Sequence, residues 1–427
     1  MIKALIITYY WPPSGGSGVQ RWLKFVKYLR DFGIEPIIYT VENPDYVFSD
    51  ESLVQDIPKN LEILKQPIWE PYQFANIFSK KQKTESAGFL GQQTSYFGKI
   101  KNYIRANYFI PDARFFWIKP SVKFLKRYLQ KNKVDVVIST GPPHSLHLIA
   151  QQLKQETGIK WIADFRDPWT DIDYFHHLPL TEKSKKKHHQ LEQNVLKKAD
   201  EIIVVGNSMK VNYSKFAKNI TVITNGYDAK NLNEKGPLDQ KFSITHIGLM
   251  NADRNHPFFW KVLSELTKEN ASFKNDLEIK LIGKVDETVL KSIQEFGLQS
   301  NLNLISYMPN NEVIKSQLTS QILLLSINNV PAAKGIITGK VFEYLQAKRP
   351  ILAIAPVDGD LAEILRKTKA GTTVNFDDFV SMKIILTNYY QLYQQDKLEI
   401  NSVDFEKYHR KNLTKQLSEI IKKCIHP

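Results

Sequence analysis

Short apolar runs rich in Ile and Val alternate with helix-period segments along nearly all of the 427-residue chain. The alternation restarts after a polar break near the middle, and glycines and charged residues gather just behind the runs. These observations predict an α/β protein of two Rossmann-like, doubly wound domains, because strands separated by helices pair in parallel and present their loops at one sheet edge. Length agrees, since domains of roughly 150 residues make two large ones the first expectation. So does composition, at 42% hydrophobic and 24% charged, which is ordinary globular usage.

In the first half, β-rich runs predict strands at 3–8, 36–40, 134–139, 160–163, 201–205 and 220–223, with helices over 19–31, 121–130, 145–156 and 182–198. The second half restarts with strands at 242–247, 277–282, 302–306, 322–327, 351–355 and 372–374. Residues 228–240, polar and containing Gly236 and Pro237, read as a linker. The expected divisions are 1–233, 234–402 and a terminal helical segment, 403–427, able to pack back on the first domain.

One cysteine, Cys424, excludes an intramolecular disulfide and any cysteine cluster for zinc or iron–sulfur chemistry. No run of about 18 apolar residues is present, so the expectation is a protein without a spanning helix or signal peptide, in a reducing cytoplasm. The net charge is +14, unevenly placed. Residues 80–133 hold 13 Lys/Arg against Glu85 and Asp112, or +11, interleaved with aromatics such as Tyr103, Tyr108, Phe115, Phe116 and Trp117. Cations and interfacial rings together suit an anionic membrane surface, at the inner face of the plasma membrane. A solvated basic face with inward-packed rings is the alternative. Nucleic acid is not expected as a partner, since no binding motif accompanies the charge.

Ligands of an open parallel sheet bind beyond the carboxyl ends of its strands. The first strand is followed by YYWPPSGGSG, which puts Gly15, Gly16 and Gly18 in the strand-to-helix turn. Such a turn is either a tight connection or a phosphate cradle at a helix N-terminus, and its spacing fits neither G-x-G-x-x-G nor a Walker loop. GPPHS places His144 at a helix start, as a cap or as a neutral hydrogen-bonding imidazole. ADFRDPW crowds Asp164, Arg166 and Asp167 at a strand end, as a polar substrate site or a bracing ion pair.

In the second half, Gly248 follows the first strand, with Arg254 shortly after. Lys334 and Gly335 lie in a loop before GKVFEYLQAKRPILA, where Gly339 opens a helix and Lys340 and Glu343 share one face. A lysine at a helix N-terminus can hold a diphosphate, and a carboxylate one turn on can accept both hydroxyls of a ribose.

The Gly15–Gly18 loop, TNGYD (Asn225, Gly226, Asp228) and GKVFEYLQAKRPILA together resemble the retaining nucleotide-sugar glycosyltransferases of family four, of GT-B architecture. ADFRDPW and GPPHS resemble a subgroup common among bacterial cell-surface polysaccharide enzymes. The resemblance implies two domains facing across a cleft, a nucleotide diphosphate sugar as donor, and a lipid-linked or glycan acceptor. It carries the ribose-binding glutamate to Glu343 and the phosphate-binding cations to Arg254 and to Lys340 or Lys334. It matches His144 to a donor-contacting histidine. The family's other glutamate falls at Gly335, where main-chain N–H groups stand in for it. The expected chemistry is sugar transfer with retention. Arg254 and Lys340 meet the charge of the departing diphosphate, while Gly15 and Gly16 close over the phosphates and Asp164 or Asp167 orients the acceptor hydroxyl. No metal or other cofactor is expected, because the His176-His177 and His188-His189 pairs are adjacent in sequence and point in different directions on a regular element. A nucleotide-sugar epimerase or hydrolase, and a non-catalytic membrane-bound nucleotide-sugar binder, are the rival readings.

Overall fold

The computed structural model describes residues 1–44, 46, 49–69, 96–172, 175, 178–228, 236–306 and 308–426. The chain forms two compact units, Met1–Asn225 with Arg410–Pro427, and Gly226–His409. The expected boundary at 233, most of the linker, the basic residues 80–95 and His176-His177 lie outside the described residues.

The first unit holds β1 (Ile2–Ile7), α1 (Ser17–Leu29), β2 (Ile34–Val41), β3 (Glu62–Gln66), α2 (Tyr96–Tyr108), α3 (Ile118–Lys131), β4 (Val136–Gly141), α4 (Ser145–Thr157), β5 (Lys160–Phe165), α5 (Glu182–Lys198), β6 (Glu201–Val204), α6 (Asn207–Tyr213) and β7 (Ile220–Val222). Its seven strands pair in parallel in the order β3-β2-β1-β4-β5-β6-β7. The order reverses direction between β1 and β4, which opens a crevice at their carboxyl ends.

The second unit holds β8 (Phe242–Ile247), α7 (Pro257–Glu269), α8 (Ala271–Asp276), β9 (Leu277–Ile282), α9 (Glu287–Glu295), β10 (Leu302–Ile305), α10 (Asn310–Thr319), β11 (Ile322–Ser326), α11 (Lys340–Ala347), β12 (Ile351–Ile354), α12 (Asp360–Thr368), β13 (Gly371–Val374) and α13 (Phe379–Gln394). Its six parallel strands run β10-β9-β8-β11-β12-β13, with the switch point between β8 and β11. Both units are therefore Rossmann-like.

Strand alternation feeds two core layers per sheet. Leu5 and Ile7 of β1 pack into one cluster with Tyr39, Trp117 and Trp161, while Ala4 and Ile6 join Trp22, Leu23 and Val26 of α1 on the other face. Each such fully buried aliphatic side chain contributes roughly 1.5–3 kcal/mol. The chain returns to the first unit through α14 (Arg410–Ile425), whose Leu413, Leu417, Ile421 and Cys424 recur at helical spacing and enter that same α1 layer. Lys411 pairs with Asp31 at 2.8 Å, and Arg410 donates to the Gln20 carbonyl at 2.6 Å.

The terminal segment is not helical from 403. Residues 405–408 form a 3-10 turn of the second unit, because Tyr408 inserts against Phe342 at 5.2 Å and its carbonyl accepts the Tyr227 N–H. The strand β3, which no sequence pattern predicted, is a half-exposed sheet edge.

Candidate functional site

In the second unit, β8 is followed directly by Gly248, whose φ of +102° lies where side chains other than glycine are strained. The missing Cβ leaves room for a lysine. A Cβ at Gly248 would stand 2.7 Å from Lys340 Cε and 2.8 Å from its Nζ. Lys340 is the first residue of α11, behind Gly339, and its N–H is capped by the Thr338 hydroxyl at 3.1 Å. Tyr344, one turn on and buried, takes the Ile247 N–H on its hydroxyl at 3.2 Å and so fixes α11 to the end of β8.

Arg254 sits in a short turn, 252–254, behind Gly248. Its Nε donates to Asn328 Oδ1 at 2.9 Å and one terminal nitrogen to the Leu249 carbonyl at 2.7 Å, while its own carbonyl accepts the Ser326 hydroxyl. Burial first and the neighbouring Arg254 charge second lower the Lys340 amine to about 7, against the opposing pull of Glu343. These interactions place Lys340, Arg254 and Glu343 together at the carboxyl edge of the sheet. Among the described residues no acceptor lies within hydrogen-bonding distance of the Lys340 ammonium. Two cations held at one helix N-terminus and sheet edge suit an anionic group.

Lys334 is placed otherwise. Its ammonium pairs with Asp358 at 2.5 Å, both side chains being well exposed. Gly335 closes a 3-10 turn, where its N–H and that of Ile336 donate to the Ala332 and Ala333 carbonyls at 3.1 Å. Those two N–H groups are committed within the turn, which corrects the expectation that they replace a glutamate.

In the first unit, Gly16 takes φ +89° and caps α1 without a side-chain bond, with Gly15 before it in the same turn. Asp164, at the end of β5, is fully buried and receives hydrogen bonds from Arg21, Trp22 Nε1 at 2.7 Å and Thr140 Oγ1 at 2.9 Å. Arg21 pairs with it at 2.8 Å and also donates to the Ile223 and Thr224 carbonyls and Asn225 Oδ1. Burial pushes the Asp164 carboxyl up, and the Arg21 charge with the hydrogen bonds from Arg21, Trp22 and Thr140 outweighs it and holds it below its ordinary value. This carboxylate braces β5 against α1 and the TNGYD segment. Both of its oxygens are taken by these donors, which opposes the expectation that Asp164 orients an acceptor hydroxyl.

His144 stands before α4 with its ring stacked on Trp169 at 4.5 Å and 5°. Burial, then His147, Arg166 and His188, keep it neutral, well below its ordinary value. Trp169 donates from Nε1 to His188 Nδ1 at 3.1 Å, and its N–H donates to the Tyr213 hydroxyl, which in turn donates to Glu192. Buried beneath, His147 lies 2.8 Å from Ser139 Oγ. No group of three metal-ligating residues gathers among the described residues.

Sequence reasoning missed Arg21, which stands 143 positions from its partner. It also missed His246, buried in β8 beside Lys340 and Arg254, and His256, whose Nε2 lies 3.2 Å from the Ile327 carbonyl next to Asn328. His246 sits within an apolar strand run and His256 in the turn just before a helix, and neither position forms a spacing with Lys340 that the sequence shows.

Two Rossmann-like units with these edges define a protein of glycosyltransferase-like GT-B fold with a family four-like segment. Residues 90–231 match the profile described as Glycosyltransferase Family 4. No curated protein matches the chain in sequence. Among solved structures, the chain is similar in fold to an S. aureus TarM mutant in complex with fondaparinux, alpha-GlcNAc-glycerol and UDP, at 12% identity, 99% of each chain and a TM-score of 0.60. It is also similar to WaaG, a glycosyltransferase involved in lipopolysaccharide biosynthesis, at 11% identity, 99% of this chain and 98% of that one, with a TM-score of 0.52. The UDP-GlcNAc 2-epimerase of Methanocaldococcus jannaschii matches at 13% identity, over 99% of this chain and all of that one, with a TM-score of 0.52.

Proposed function

We propose that the protein transfers a sugar, with retention, from a nucleotide diphosphate sugar to a glycan or lipid-linked acceptor at an anionic membrane surface. The observation that carries this reading is the grouping of Lys340, Arg254 and Glu343 over Gly248. In the reaction the bond between the anomeric carbon and the diphosphate oxygen breaks, a bond to the acceptor oxygen forms on the same face, and the acceptor proton passes to the departing diphosphate. The barrier lies in the charge that builds on that diphosphate, and cations held in place before reaction lower it. Arg254, fixed by Asn328 and Leu249, and Lys340 supply that charge without a metal, while Glu343 accepts the ribose hydroxyls.

The membrane component is supported by α2, where Ile100, Tyr103, Ile104 and Tyr108 are exposed along one stripe between exposed Lys99 and Arg105. Exposed Trp69 packs on exposed Phe116 at 4.7 Å, whereas Trp117 and Phe124 turn inward onto Tyr39. The aromatics of this region therefore divide between core and surface.

The deciding experiment is thermal stabilisation of the full chain by UDP, GDP, ADP and their sugars, followed by product analysis with and without acceptor. Stabilisation with transfer only when acceptor is present is expected. Turnover without acceptor would identify an epimerase or hydrolase, and tight binding without turnover a non-catalytic binder.

A further inference from the structure

We infer that the outer face of α3 is a docking track for the acceptor, and that the acceptor is a linear acidic glycan; the acceptor role rests on the sugar-transfer reading above. The exposed residues of α3 are Lys119, Pro120, Lys123, Arg127, Gln130 and Lys131. Its apolar side chains turn the other way, with Val122 and Leu125 buried and Phe124 packed on Tyr39. The exposed cations recur every four residues, which makes a row about 18 Å long at 1.5 Å per residue. The helix sequence holds no acid. Glu156 and Glu62, which reach it from α4 and β3, are engaged by Lys126 at 2.8 Å and by the Tyr128 hydroxyl at 2.6 Å. Among the described residues, no carboxylate lies within ion-pairing distance of the four row cations. Such a row attracts anions along its length.

The row has a direction. Its Lys131 end lies at the amino edge of the sheet, where Asp135 accepts the Lys3 N–H near the start of β1 and stands 3.8 Å from Lys133. Its Lys119 end lies at the carboxyl edge. Just before α3, Arg114 stands over the Tyr9 ring, behind β1, at 4.5 Å, and Asp112 accepts the Ser145 N–H, behind β4, at 2.9 Å. The sheet order reverses between those two strands, so the row runs up to the edge at which such sheets hold ligands. Two exposed rings mark that end, Phe116 and Trp69, in contact at 4.7 Å, with Trp69 52% exposed. An exposed indole offers a flat apolar face beside a polar N–H, which suits the C–H face and the hydroxyls of a sugar ring.

The shape of the row selects among anionic partners. Side chains four apart on a helix are turned about 40° from one another, so the row winds about 120° from Lys119 to Lys131. A flat bilayer meets only part of a winding row, whereas a flexible chain follows all of it. The exposed residues of α3 also include none of the Ile and Tyr side chains that α2 offers to an acyl boundary. Charge alone would accept any polyanion, and the Trp69–Phe116 platform at the end of the row adds the contact that a sugar chain makes and a bare polyanion does not.

The test uses the full chain with oligogalacturonate as the acidic glycan, a maltooligosaccharide of the same length as the neutral one, and inorganic polyphosphate as a polyanion without sugars. Wild type is expected to bind oligogalacturonate, more weakly as ionic strength rises, and not the maltooligosaccharide. Lys123→Gln with Arg127→Gln and Lys131→Gln should weaken that binding about tenfold, a loss of about 1.4 kcal/mol, and make its salt dependence shallower. Trp69→Ala should weaken oligogalacturonate binding about tenfold and leave polyphosphate affinity within about twofold of wild type. The substituted side chains are exposed, so cooperative melting should be retained in both variants. Absence of oligogalacturonate binding by wild type, or binding indifferent to the triple variant, overturns the track. A Trp69→Ala protein that loses both anionic ligands alike, or neither, overturns the glycan assignment. A triple variant that keeps its oligogalacturonate affinity and loses flotation with phosphatidylserine vesicles assigns the row to lipid headgroups and overturns the proposal. Failure of the transfer reading is separate, since it shows as no nucleotide binding by the wild type while oligogalacturonate still binds.

Discussion

The end of the Lys340 side chain fills the space beside Gly248, its ammonium 2.8 Å from where a Cβ at that position would stand. Gly248→Ala therefore acts twice. It strains a backbone at φ +102°, at a cost of about 1–3 kcal/mol, and it displaces the ammonium from the anion it is proposed to meet. Urea unfolding should show a loss in that range, and nucleoside diphosphate affinity should fall by about tenfold or more beside a much smaller change in fold content. Unchanged affinity would separate Lys340 from the donor site.

The same lysine predicts a pH dependence. Burial and Arg254 lower its folded-state value to about 7 from 10.5. Between those values the unfolded chain holds the proton and the folded chain does not, so this group makes the ligand-free protein more stable as pH rises through that window. Binding has the opposite sign. A diphosphate favours the ammonium, so a proton is taken up on binding and affinity falls as pH climbs above about 7, by at most about tenfold per pH unit. The groups bearing on Lys340 are Arg254, Glu343 and His246, and the last is held neutral by burial and by those cations. Lys340→Arg keeps the charge without titrating and should flatten the profile. Calorimetric titrations of UDP at several pH values measure this directly, and identical slopes in both proteins would assign the proton elsewhere.

Asp164→Asn tests the bracing role. Breaking a buried, hydrogen-bonded ion pair from one side leaves the Arg21 charge uncompensated and costs about 3–5 kcal/mol. Denaturant unfolding should show this loss in Asp164→Asn, and a substantial recovery in Asp164→Leu combined with Arg21→Met, where neither charge remains. A stable Asp164→Asn protein with lost turnover would restore Asp164 as a group acting on substrate.

These residues mark how far the sequence was legible. Strands β8 and β9 were readable to the residue because buried apolar side chains alternate along them, Phe242 and Ile244 in β8 and Leu277, Ile279 and Leu281 in β9. Edge strand β3 was not, since half of its side chains face solvent and its pattern is that of a loop. Lys340 and Glu343 share a helix, so spacing alone predicted their common face. Arg254 could be grouped with them only through resemblance, because the sheet order that brings β8 beside β11 is a long-range pairing. Asp164 was read with its sequence neighbour Arg166, and the structure separates the two. Asp164 faces Arg21 of α1, while Arg166 reaches across the β1–β4 crevice, and no local pattern encodes a partner 143 positions away.

Helix α2 makes the last prediction. Its exposed Ile100, Tyr103, Ile104 and Tyr108 leave apolar area in water, Tyr108 being 72% exposed, and exposed Lys99 and Arg105 flank them. Cations attract anionic headgroups at about 1 kcal/mol each, whereas apolar side chains gain only by entering the acyl boundary, so the two contributions respond differently to salt. Flotation with vesicles containing phosphatidylserine should recover the protein at low salt and progressively less as ionic strength rises. Tyr103→Glu with Ile104→Glu should abolish recovery at every salt concentration while shifting the melting temperature only slightly, because both side chains lie at the exposed surface of α2. Failure to float at low salt, or full flotation of the glutamate variant, would remove α2 from the membrane contact.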